Sequence, residues 1–92
     1  MQIVAVNVSF DTDCLAAPAG KAFTIVLDNQ DPGIPHNVSI YTDESATTAL
    51  FTGEFVTGPA KGTYKVDALD AGTYFFRCDV HPTTMTGTFI VA

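Results

Sequence analysis

The feature that most narrows the folds open to this chain is a period of two. Apolar residues recur at every second position in several short runs, and nowhere do they keep helical spacing over a useful length. Val4, Val6, Val8 and Phe10 alternate with Ala5, Asn7 and Ser9, which predicts a half-buried strand. Phe23, Ile25 and Leu27 alternate before Asp28-Asn29, and Val38 and Ile40 follow His36 at the same step. Tyr64 with Val66, Tyr74 with Phe76 and Cys78, and Phe89 with Val91 repeat the pattern, which places strands at 63–69, 73–78 and 87–91. Pro18-Ala-Gly20, the proline-bearing residues 30–35, residues 57–62 and Asp70-Ala-Gly72 read as turns and loops between them. Residues 42–50 are small and polar with no period, and 51–56 fits a short edge strand. About seven to eight short strands, with turn signals roughly every 8–12 residues, predict an all-β sandwich or barrel.

At 92 residues the chain is the size of one domain, spanning 1–92, and no repeat or linker divides it. Hydrophobic residues make up 47% and charged ones 15%, enough to build a core and too apolar for a disordered segment. The net charge of −6 speaks against nucleic acid, whose phosphates need basic patches, and is compatible with a basic protein partner. No apolar run approaches the ~20 residues of a membrane span. No basic segment leads into an apolar one at the start, so no signal peptide is expected, and Met1-Gln2 reads as a start placed on a trimmed domain.

The chemistry is concentrated near the C-terminus, in Cys78-Asp-Val-His81-Pro-Thr-Thr-Met85. Thiolate and thioether are soft ligands and imidazole is a borderline one, so these three groups at the end of an aromatic strand read as copper ligands. The chain has one other histidine, His36, in Gly33-Ile-Pro-His36-Asn37, also at a junction of loop and strand. Two His and one Cys in a plane, with a long axial Met, is a known copper arrangement. The rival readings of these residues are weaker. Zinc takes Cys and His, but Met is a poor ligand for it. A Cys14–Cys78 disulfide would leave His81 and Met85 without a role. A binuclear copper site needs a second Cys in the same loop. A cysteine hydrolase needs an oriented base and an oxyanion hole, for which no motif is visible.

These stretches resemble the cupredoxins, the small blue copper proteins, over nearly the whole chain. Cys-x2-His is the spacing of plastocyanin-like and amicyanin-like members. His-x3-Met followed by x-Gly-Thr is similar to azurin, and Pro35-His36-Asn37 matches the plastocyanin-like pattern. The resemblance implies a Greek-key β-sandwich in which the loops bearing His36 and 78–85 meet at one end. It implies one type 1 copper ion held by His36, Cys78, His81 and Met85, each histidine binding through its delta nitrogen. The chain would then be an electron carrier, not an enzyme, monomeric, and periplasmic or extracytoplasmic, or cut from a membrane-tethered parent. Its redox partners would be of the cytochrome or copper oxidoreductase type. Asn37 is expected to tie the upstream loop to the one after the cysteine, and Asp79 stands beside the thiolate where many members carry Ser or Thr. Ile34, Pro35, Val80 and Pro82 would form an apolar face around the outer histidine, with Asp28, Asp31, Asp43, Glu44 and Asp79 as candidate charges around that end. A copper delivery protein with the same ligands, and an accessory redox domain of a larger copper enzyme, are the alternatives. In each case the aromatic and branched core is expected to fold without metal, and copper to add stability by mass action.

Overall fold

The computed structural model describes residues 1–92, and all its regular structure is β. In chain order the strands are β1 (Gln2–Val6), β2 (Ser9–Phe10), β3 (Cys14–Ala17), β4 (Phe23–Asn29), β5 (Pro35–His36), β6 (Ser39–Tyr41), β7 (Ala49–Thr52), β8 (Val56–Thr57), β9 (Ala60–Val66), β10 (Gly72–Arg77) and β11 (Thr86–Val91). One sheet has the order β2-β1-β4-β9, the second β3-β11-β10-β6-β7, and β5 pairs with β8 in a small third ladder. Both large sheets are mixed, because β1 runs parallel to β4 and β3 parallel to β11.

The two sheets share one core. Ile3, Ala5, Ile25, Leu27, Tyr64 and Val66 come from the first, and Leu15, Ala17, Ile40, Phe76, Phe89 and Val91 from the second. Aromatic pairs bridge them, with ring centroids 5.7 Å apart for Phe10 and Phe76, 5.5 Å for Phe23 and Phe89, and 5.6 Å for Phe51 and Tyr64. This is the face-to-face packing of a β-sandwich, in which alternate residues of each strand point inward. Of the sandwich or barrel that the alternation left open, the sandwich implied by the family resemblance is the fold observed.

Several local expectations are corrected. The first strand buries Ile3 and Ala5, not the valine series, and Val6 points out at 37% exposure. The run also does not continue as one strand. Val6 pairs with Ser9 across a two-residue turn at Asn7-Val8, so Val8 sits in the turn and Phe10 on the returning strand. The strand expected from His36 onward is shortened to β6, Ser39–Tyr41, and Pro35-His36, read as the end of a loop and its junction, instead forms β5 against β8. The turn at 57–62 is shorter than expected, since β9 starts at Ala60 and pairs through Val66 with β4. Such breaks turn the expected seven to eight strands into eleven short pieces. Cys14 and Cys78 are both free thiols, the first exposed and the second buried, so the disulfide reading is excluded.

Candidate metal centre

β10 sets the position of the cysteine. Phe76 and Cys78 follow one another on its inward face, both with 0% exposure, and β10 is held on one side by β11 and on the other by β6. Beyond Cys78 the loop is closed on itself by three backbone bonds. The Cys78 N–H donates to the Met85 carbonyl at 2.9 Å, the Met85 N–H to the His81 carbonyl at 3.1 Å, and the His81 N–H to the Cys78 carbonyl at 3.2 Å. These bonds bring Cys78, His81 and Met85 together before any metal is considered. Met85 is fully buried in the same core cluster as Cys78.

His36 reaches this loop from the other side. Its Nδ1 lies 3.7 Å from Cys78 Sγ, and His81 Nδ1 lies 3.8 Å from the same sulfur. The two imidazoles are 5.0 Å apart, inclined at 58°, and the three donor atoms all fall within 4.8 Å of one another. These spacings test the fit of a metal ion. Bonds of ~2.3 Å to sulfur and ~2.0–2.1 Å to nitrogen span ~3.7–3.8 Å at a trigonal angle but only ~3.5–3.6 Å at a tetrahedral one. The observed sulfur–nitrogen separations are ones a single ion can span, and the soft donors, the Cys78 thiol with Met85 buried in the same core cluster, favour copper. His36 is wholly buried, whereas His81 is partly exposed.

A polar frame surrounds the donors. Asn37 Oδ1 accepts from the Asp79 N–H at 2.8 Å, and Asn37 Nδ2 donates to Asp79 Oδ2 at 3.0 Å and to the Gly53 carbonyl at 2.9 Å. The Asp79 carboxylate also accepts from the Ser39 and Tyr41 hydroxyls, each at 2.6 Å, and from Arg77 Nε at 3.0 Å. Arg77 in turn stacks over the Tyr41 ring at 4.7 Å. Burial alone would raise the Asp79 carboxyl, but its four side-chain donors outweigh burial and hold it down at about 2.

One partner of the site was not assigned from the sequence. Asp31 was only a candidate surface charge. In the structure it is buried, with Oδ2 2.7 Å from His36 Nε2. The His36 bond, then the amides of Val8 and Asn7, hold its carboxyl below the ordinary value. No local motif marks Asp31, because its partners lie up to 24 residues away. The other acidic candidates divide. Asp43 and Glu44 line a groove with Thr73 and Tyr74, toward the end of β10 away from Cys78. Val80, at 44% exposure, and exposed Pro82 flank His81 in the chain, while beside His36 Pro35 is exposed and Ile34 is partly buried.

The comparisons agree with this picture. No curated protein sequence matches the chain. Among solved structures, the reduced auracyanin of Roseiflexus castenholzii superposes with a TM-score of 0.86 at 20% identity, over 99% of this chain and 94% of that one. Auracyanin A of Chloroflexus aurantiacus, described as a "blue" copper protein, gives 0.86 at 19% identity over 100% and 97%. Amicyanin of Paracoccus versutus gives 0.70 at 25% identity over 99% and 79%. A family model described as the cupredoxin-like domain matches residues 1–91, and this chain belongs to that family.

Proposed function

We propose that this chain binds one copper ion through His36, Cys78, His81 and Met85 and carries single electrons between redox proteins. The observation that carries the reading is the pair of Nδ1 atoms at 3.7 and 3.8 Å from the buried Cys78 sulfur, with Met85 buried in the same core cluster. Copper, when bound, supplies the one-electron couple between Cu(I) and Cu(II). The protein's part is to keep the donors in one arrangement through both states. The bonded loop from Cys78 to Met85 and the Asn37–Asp79 clasp do this, and full burial of Cys78, Met85 and His36 keeps water off the donors. Donors locked in this way favour a carrier, which retains its metal, over a delivery protein, which must surrender it.

His81 is the donor nearest to solvent, so electrons enter and leave through its ring. Val80, Pro82, Pro35 and Ile34 form the apolar rim on which a partner docks briefly, and the net charge of −6 favours a basic partner. No helix is long and apolar enough to cross a membrane. The reading makes the chain a carrier and not an enzyme, one cupredoxin-like domain across 1–92, working in the periplasm or another extracytoplasmic compartment.

The test is to add one equivalent of Cu(II) to the metal-free protein and record visible absorption and electron spin resonance, with Cys78→Ser alongside. An intense thiolate-to-copper band with narrow hyperfine splitting, lost in the variant, is expected. A colourless product, or a band that bleaches as the thiol oxidises, overturns the reading. Loss of copper to a chelator on each reduction would point to delivery instead.

A further inference from the structure

We infer that Asp31 is a positioning residue for the metal centre: its buried carboxylate fixes the tautomer and orientation of His36 and lowers the potential of the bound copper. The inference rests on the copper reading above and extends it to a residue outside the ligand set.

The geometry is specific. Asp31 Oδ2 meets His36 Nε2 at 2.7 Å in a fully buried contact, while His36 Nδ1 faces the Cys78 sulfur. A carboxylate can only accept, so the proton must sit on Nε2, and the lone pair is left on Nδ1 where a metal needs it. The carboxylate is itself held in place. Its Oδ1 accepts from the Asn7 N–H at 2.6 Å and its Oδ2 from the Val8 N–H at 2.9 Å. Both turn residues have φ of 54°, as a two-residue hairpin of the I′ type requires. Asn tolerates that conformation, but a β-branched Val there is rare and persists only where its surroundings enforce it. The paired amides of this strained turn aim at a single side chain, Asp31.

The backbone of Asp31 is fastened from a third direction. Its N–H donates to Asn29 Oδ1 at 2.9 Å, and Asn29 Nδ2 staples the Ile34 and Val56 carbonyls at 2.7 Å each. Gly58 packs so close to the Asp31 carbonyl that no side chain fits at position 58. This network holds one carboxylate in a single place against one ligand. Its electrostatic effect follows directly. A fixed negative charge on the far edge of His36 makes the imidazole a better donor to the more highly charged ion, so Cu(II) gains over Cu(I).

Two measurements test this. Nitrogen NMR of the metal-free wild type, at mildly alkaline pH where imidazoles are neutral, is expected to show His36 protonated at Nε2 and bare at Nδ1. The Nε2–H should stay hydrogen-bonded in the diamagnetic Cu(I) form. A metal-free His36 protonated at Nδ1 overturns the assignment. The metal-free measurement needs neither a variant nor copper, so it decides the tautomer assignment even if the wild type shows no thiolate band and the carrier reading fails. The second is Asp31→Asn, which keeps the shape and removes the charge. The variant should keep a type 1 spectrum, bind Cu(II) about 10–100-fold more weakly, and move to a more positive potential. If the loss falls on Cu(II) alone, each tenfold step corresponds to 59 mV for a one-electron couple. An unchanged potential and affinity in the folded variant refutes the electrostatic role. If Asp31→Asn does not fold, Asp31→Ser, read by the same affinity and potential, decides the electrostatic role.

Discussion

Replacing Asp79 by Asn should destabilise the metal-free protein in a way that depends on pH. The carboxylate takes hydrogen bonds from Ser39, Tyr41, Asn37 and Arg77, and its side chain is only 19% exposed. An Asp of about 3.9 in the unfolded chain that is held at about 2 in the fold contributes about 2.6 kcal/mol. Allowing for screening of the exposed fraction leaves ~2 kcal/mol. Because the folded value is depressed, this stability is fully present above about pH 4 and is lost as pH falls toward 2. Asn also turns an NH2 group toward groups that are already donors, which adds a pH-independent cost of about 1 kcal/mol. The assay is denaturant unfolding of wild type and variant from neutral pH down to the acid limit of folding. The two should differ by ~2–3 kcal/mol near neutrality, or about 8–24 °C in melting temperature for a domain of this size, and converge by ~2 kcal/mol on acidification. Asp31 is also held below its ordinary value, but it contacts His36 and not the Asp79 network, so its contribution cancels between the two proteins. A difference that stays constant with pH, or one below ~0.5 kcal/mol at neutrality, would show that the network does not hold the charge as argued.

Further outcomes follow from single contacts. Gly87→Ala puts a Cβ against the ring of buried Phe76 and 2.5 Å from the Asp13 carbonyl oxygen. It should cost at least ~1–3 kcal/mol in denaturant unfolding; an unchanged midpoint would mean that β10 and β11 separate more easily than their packing implies. Met85→Leu replaces a buried side chain by one of similar volume, so metal-free stability should shift by less than ~1.5 kcal/mol. With the thioether gone, voltammetry should show a more positive copper potential, and an unchanged one would remove Met85 from the donor set. Val80→Lys, on a side chain 44% exposed beside His81, should leave stability within ~0.5 kcal/mol and the copper spectrum unaltered. It should slow electron exchange with a redox partner in stopped flow, and an unaffected rate would move the docking face elsewhere. The metal-free chain should melt cooperatively, since its core closes around 15 buried residues of its own, and should melt higher once loaded with copper.

The sequence by itself determined what lies close along the chain. Period-two alternation reports the faces of a strand without knowledge of its neighbours, so Phe76 and Cys78, Phe89 and Val91, and Ile25 and Leu27 were legible as inward pairs. Cys78, His81 and Met85 stand within one loop, where ligand chemistry and spacing are read directly, and the lone remaining histidine completed the set. What only the tertiary structure decided depends on distant segments meeting. The first strand is apolar on both faces, so its pattern could not say that Ile3 and Ala5 face the core, and the turn at Asn7-Val8 carries neither of the glycines such hairpins favour. The acidic residues look alike in the sequence. Their difference arises only when the fold delivers the Asn7 and Val8 amides and His36 to Asp31, and Ser39, Tyr41 and Arg77 to Asp79, while Asp43 and Glu44 stay in water. A carboxylate's role is set by the donors around it, and those come from parts of the chain that no local spacing connects.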